Sequence, residues 1–134
     1  MSVEKSETLA IRSEQDVISV RQSVKAWAIQ LSFSLVDQTK IVTAASELGR
    51  NTFKFGGGGS AKLEILSEGI RKGLRITFED QGPGIADIDQ AMQDGFTTGN
   101  GMGLGLSGAK RLVNDFKIVS RVGEGTAITI TRWK

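Results

Sequence analysis

The chain has 134 residues, 39% of them hydrophobic and 24% charged, with a net charge of +2, which is the profile of one globular domain over 1–134 and excludes a disordered chain. It contains no Cys and no His, which excludes disulfides, thiolate zinc sites, cysteine nucleophiles and imidazole bases or phospho-acceptors; acid–base chemistry falls to carboxylates, lysines and hydroxyls. No apolar run reaches the ~20 residues of a membrane helix, the N-terminus is too polar for a secretory signal and the basic residues are scattered, so a cytoplasmic protein with no membrane or nucleic-acid partner is expected.

In chain order, Leu9 and Ile11 predict a short edge strand, and Ser13 with Asp16 has the capping-box spacing that opens a helix. Val17, Val20, Val24, Trp27 and Leu31 recur at helical intervals and read as scaffold. A second helix is predicted over 37–53, with Ile41, Ala45, Leu48 and Thr52 in one stripe, stopping at Phe55 before the glycine run 56–59. Strands over 62–66 and 74–80, joined by a turn through 68–73, form a hairpin. Residues 81–105 are polar and glycine-rich, with one helical turn over 87–92; so long an irregular stretch in a small domain points to function. A helix over 106–115 follows, then strands over 117–122 and 126–133 around the turn 123–125.

Four groups of residues suggest chemistry. Strand alternation puts Leu74, Ile76, Phe78 and Asp80 on one face, so the Asp80 carboxylate points at the core and needs donors, such as a bound amino group. The competing reading is an Asp that caps the turn Gln81-Gly82-Pro83-Gly84. Glu47 and Asn51 lie four apart beside an apolar helix stripe, which suits a magnesium ion and a carboxylate that orients a hydroxyl; an exposed helix edge with Arg50 paired to Glu47 explains the same spacing. The run from Thr97 through Gly101, Gly103 and Gly105 to Gly108, directly before a helical pattern, offers backbone amides to phosphate. Its matches to the dinucleotide fingerprint and the P-loop fail, the first for want of a preceding strand and the second because Ala stands where Lys is required. Thr126 shares parity with Ile128 and Ile130, so its hydroxyl faces the layer that receives Asp80, unless it is simply a surface Thr in a β-branched strand.

The order of these pieces resembles the GHKL ATPase superfamily: Glu47 to Asn51 on a helix, Asp80-Gln-Gly-Pro-Gly84 after a strand, Gly101 to Leu106 before a helix, then Gly125-Thr126. Within it, Ala45-Ser-Glu-Leu-Gly-Arg-Asn51, Glu79-Asp-Gln-Gly-Pro-Gly-Ile85, Asp94-Gly-Phe-Thr-Thr98 and Gly108-Ala-Lys-Arg-Leu112 resemble the anti-sigma-factor kinases, most of all the RsbT-like serine/threonine kinases. That resemblance implies an α/β two-layer sandwich with a mixed sheet and helices on one face, binding ATP and Mg2+. It makes Asn51 the magnesium ligand, Glu47 the carboxylate that positions or deprotonates the attacking hydroxyl, and Asp80 the acceptor of the adenine amino group. Gly82 and Gly84 would shape that pocket with support from Thr126, while Gly101, Gly103, Gly105 and Leu106 would belong to a mobile phosphate lid. The implied activity is phosphorylation of a Ser or Thr in a STAS-domain protein of a partner-switching stress module. The alternative is a nucleotide-gated binding module that holds a sigma factor or activates a PP2C-type phosphatase. Lacking His, the chain has no means of autophosphorylating on histidine.

Overall fold

A computed structural model describes residues 1–93 and 105–134. Strand β1 (Ser2–Ile11) leads into helices α1 (Glu14–Gln30) and α2 (Leu35–Lys54). The hairpin β2 (Gly59–Glu68) and β3 (Arg71–Asp80) follows, then the short helices α3 (Ile88–Ala91) and α4 (Gly105–Arg111), then β4 (Asp115–Arg121) and β5 (Gly125–Trp133). The strands form one sheet in the order β1-β2-β3-β5-β4. Among the described residues no helix is long and apolar enough to cross a membrane.

The helices start where local chemistry satisfies their free amides. Ser13 Oγ accepts from Asp16 N at 3.1 Å, and the Asp16 carboxylate accepts from Arg12 N at 2.8 Å, closing the expected capping exchange one residue further out. Ser34 caps α2 in the same way. The stripe Ile41, Ala45, Leu48 and Thr52 is buried, and α2 lies between α1 and α4 across β2 and β3. At Gly49 the packing is close enough that an added Cβ would stand 3.4 Å from Val17 Cγ1 and 3.7 Å from Phe78 Cε1.

Strand register turns the sheet's inner face into rows. Leu9, Ala61, Phe78, Ile128 and Ile118 align across the five strands, as do Leu63, Ile76, Ile130 and Phe116 across four of them. These side chains form the core against the helices. The next row is Ile11, Gly59, Asp80, Thr126 and Ser120, so the core ends in a polar margin.

Three expectations are corrected. The two-layer sandwich with helices on one face is present, but every strand pairing is antiparallel and the sheet is not mixed. Connectivity accounts for much of this: α1 and α2 return the chain so that it enters β2 at the end where β1 stopped, and the short turns before β3 and β5 make antiparallel hairpins. Second, β1 runs from Ser2, since pairing with β2 fixes its polar half without burying it. Third, α4 ends at Arg111 rather than near Asp115, because Asn114 N donates to Thr131 O at 2.9 Å and commits the backbone to the sheet.

Arg132 closes the end of the fold opposite the polar margin. Its Nη2 donates to Asp37 Oδ1 in the first turn of α2 at 2.6 Å, and its Nη1 to Leu112 O behind α4 at 3.0 Å. The hydrogen bond from Arg132 holds the Asp37 carboxyl below its ordinary range, and on the outer face Arg75 does the same for Glu64, its cross-strand partner. Because these carboxyls titrate lower in the folded state, their stabilisation is fully present above the unfolded value near pH 4 and is lost as pH falls through the folded values. Asp37→Asn is therefore expected to lower Tm at pH 7 by on the order of 5 °C, a gap that shrinks on acidification below about pH 4. Thermal melts followed by circular dichroism across pH check this, and a gap independent of pH contradicts it.

Candidate functional site

The polar margin of the sheet meets the C-terminal end of α2. Asn51 O accepts from Phe55 N at 2.9 Å and Gly56 N at 3.2 Å, and Thr52 O accepts from Gly58 N at 3.0 Å, which ends the helix directly beside Asp80. The approach is so close that a Cβ on Gly56 would lie 2.4 Å from Asp80 Cγ, and one on Gly82 would lie 2.7 Å from Gly56 Cα. A Cβ on Gly59 would stand 1.9 Å from Glu79 O. Gly84 and Gly125 have φ of +76° and +90°, and side chains there would run into Arg121 O and Asp80 O, each at 2.1 Å. Five glycines thus crowd this end of the sheet, with Gly56 against the Asp80 carboxylate itself.

The inward parity and the turn cap expected of Asp80 are present together. The side chain is half-buried on the inner face, and its Oδ1 caps the turn by accepting from Gly82 N at 2.9 Å. Oδ2 has no hydrogen-bond partner among the described residues. An acceptor of this kind, beside a glycine-lined approach, fits an amino donor. Thr126 is Asp80's partner in register on β5 and faces the same side. Gly82 and Gly84 lie in the turn that follows β3, with Gly123 N donating to Pro83 O at 2.8 Å to bring the β4–β5 turn against it.

Ser120 on β4 carries no motif signal. Its hydroxyl accepts from Ile85 N at 2.7 Å, lies 2.7 Å from Thr126 Oγ1 and donates to Gly125 O at 3.1 Å. The signal that finds it is strand parity combined with the turn at 123–125, which together put Ser120 opposite Thr126. An open cleft of about 300 Å3 at this end of the sheet is lined by residues that include Glu79, Asp80, Val119, Ser120, Thr126 and Ala127.

Glu47 and Asn51 occupy successive turns of α2. The Glu47 side chain is only 13% exposed and Arg50 Nη2 bonds its Oε1, so the pairing expected of a plain helix edge is present. Glu47 Oε2 and the Asn51 amide have no partner among the described residues. The described residues hold no cluster of three acidic, His or Cys side chains, so any divalent ion here would rest on few protein oxygens, with phosphate and water completing its shell; a lone Asn amide fits magnesium in that role. Gly105 opens α4 with φ +50°, while the Leu106 side chain is buried in the core, anchoring α4 rather than facing a ligand. Gly101 and Gly103, and with them the expected lid, lie outside the described residues.

Residues 36–134 match the family described as histidine kinase-, DNA gyrase B-, and HSP90-like ATPase. Over 123 residues, 92% of each chain, the sequence is 46% identical to the serine/threonine-protein kinase RsbT of Bacillus subtilis (strain 168). It is 30% identical to the anti-sigma F factor of Thermoanaerobacter sp. (strain X514), over 92% of this chain and 89% of that one. Among solved structures, the RsbU and RsbW domains of Rv1364c from Mycobacterium tuberculosis superpose with a TM-score of 0.67 at 20% identity, covering 96% of this chain and 32% of that one. The mycobacterial sensor histidine kinase MprB superposes with a TM-score of 0.56 at 19% identity, covering 96% and 97%. Both structural likenesses concern the fold.

Gly123 and Gly125 separate conformational strain from collision, since both have positive φ but only Gly125 is crowded; nothing lies within 4 Å of a Cβ on Gly123. Gly123→Ala is expected to cost about 1–2 kcal/mol, the ordinary penalty for that backbone region, and Gly125→Ala at least twice as much. Urea denaturation measures both, and equal costs would contradict the crowding around Asp80.

Proposed function

Because the chain belongs to the histidine kinase-, DNA gyrase B- and HSP90-like ATPases and, within them, to the anti-sigma-factor kinase branch, we propose that it is a protein serine/threonine kinase acting in the cytoplasm. It transfers the terminal phosphoryl group of ATP to a Ser or Thr hydroxyl of a STAS-domain protein in a partner-switching stress module. The observation that carries this reading is Asp80: one carboxylate oxygen is tied to Gly82 N and the other is unpartnered among the described residues, on the polar margin beside Thr126. Asp80 accepts the adenine amino group there, with Gly82, Gly84 and Thr126 shaping the pocket.

Asn51 supplies the protein oxygen for Mg2+, which when bound neutralises charge on the phosphate oxygens. Gly101, Gly103 and Gly105 would hold the phosphates, and Leu106 secures the helix that follows. Glu47, one turn before Asn51, has Oε1 held by Arg50 and directs Oε2 to the substrate hydroxyl. It takes the hydroxyl proton as the oxygen forms a bond to the γ-phosphorus and the bond to the β–γ bridging oxygen breaks, with ADP as leaving group. Placement of the hydroxyl in line with the phosphorus is the main contribution asked of the protein.

The likeness to the anti-sigma F factor supports a second reading, in which nucleotide occupancy controls the hold on a sigma factor or a PP2C-type phosphatase and little phosphate is transferred. The two readings differ in product. With labelled ATP and a STAS-domain partner, wild type is expected to label a Ser or Thr, chelation of divalent ions to stop labelling, and Glu47→Ala to reduce it by roughly 10²-fold or more with nucleotide binding retained. Undiminished labelling by Glu47→Ala would remove that carboxylate from its role. Nucleotide-dependent partner binding with no labelled product would favour the second reading.

A further inference from the structure

We propose that Ser120 is a positioning residue for purine recognition, acting through Thr126; this rests on the reading of Asp80 as the adenine acceptor. Ser120 stands at the inner margin of β4, one strand beyond Thr126 and two beyond Asp80, in the same register row. Its oxygen receives the Ile85 N–H at 2.7 Å, which ties the turn after Asp80 to the edge of the sheet. Its one proton has two acceptors within reach, Thr126 Oγ1 at 2.7 Å and Gly125 O at 3.1 Å.

Counting protons gives the consequence. A Ser hydroxyl donates once, and one of its lone pairs is already taken by Ile85. If the Ser120 proton goes to Thr126, the Thr126 proton points away from Ser120 and is available to an acceptor on a ligand. If it goes to Gly125 O, Thr126 donates to Ser120 and presents only lone pairs. The second state makes all three contacts at once, with Ser120 accepting from Ile85 N and Thr126 Oγ1 and donating to Gly125 O, so the geometry favours it. Thr126 then presents lone pairs beside the open oxygen of Asp80, and the two acceptors together receive the exocyclic amino group of adenine. Ser120 fixes the Thr126 hydroxyl in the accepting sense. Removing Ser120 frees that hydroxyl to rotate and leaves Ile85 N without its partner.

The test is a double-mutant cycle on the full chain, with ATP affinity measured by calorimetry and phosphotransfer by labelled ATP. Ser120→Ala is expected to weaken ATP binding roughly fivefold to tenfold in an otherwise wild-type chain and less than twofold when Thr126 is already Val. Its KM for ATP should rise with kcat unchanged, since no group at the transferring phosphate has moved. Ser120→Thr, which keeps the hydroxyl, is expected to restore affinity to within about twofold of wild type. Equal losses in both backgrounds would assign Ser120 to holding the Ile85 turn alone and overturn the proposal, as would unchanged affinity in Ser120→Ala. Asp80→Asn in the same titrations separates this from the underlying reading. If Asp80→Asn abolishes binding and Ser120→Ala does nothing, only the role of Ser120 falls. If Asp80→Asn binds ATP like wild type, the nucleotide assignment itself falls and the Ser120 proposal with it.

Discussion

A carboxylate at the end of a strand, packed so tightly by backbone that its neighbours have no room for side chains, is the constraint on which the rest of the molecule turns. Asp80 is approached by Gly56 from the end of α2, by Gly82 from its own turn, and by Gly125 from the start of β5. A side chain at any of these positions would push apart the layers that meet there. Apolar rows further down the sheet provide the free energy to hold this arrangement, at about 1.5–3 kcal/mol for each large side chain buried. Phe78, two residues before Asp80, is one of them. Scaffold and site therefore lie on the same strand face, one pleat apart.

The antiparallel register brings separate parts of the chain into that margin. Gly59, Asp80, Thr126 and Ser120 are far apart in sequence and adjacent across the sheet. The α1–α2 pair returns the chain so that Asn51 arrives at the same end, while Arg132 fixes α2 and α4 at the other. Anchoring α2 away from the margin leaves its site-facing end to be positioned by the glycine turn at 56–58. An Arg that binds a carboxylate and a carbonyl together does this with defined directions, which a Lys would not reproduce.

Much of this is legible in the sequence because it rests on short-range rules. The buried stripe of α2, the parity that turns Asp80 inward and the glycine that ends each turn follow from periods of 3.6 and 2 and from caps. What escapes those rules depends on pairing. Apart from Val3 the first half of β1 is polar, so no alternation announces it, and only its ladder with β2 makes it a strand. The end of α4 is set by Asn114 bonding to β5, although Leu112 and Val113 continue an apolar pattern. Ser120 looks like any polar strand residue until the 123–125 turn fixes what lies opposite it. Arg50 beside Glu47 is predicted by spacing, yet spacing does not say which oxygen it leaves open.

The central claim, that the open oxygen of Asp80 accepts a purine amino group, is tested most directly by changing the ligand rather than the protein. Calorimetric titration with ATP and with purine riboside triphosphate, which lacks only that amino group, isolates the contact. Tight binding of ATP and a loss of roughly tenfold or more for the analogue are expected, because a carboxylate oxygen covered by the bound ring is then left without a donor. Equal affinity for the two nucleotides would contradict it.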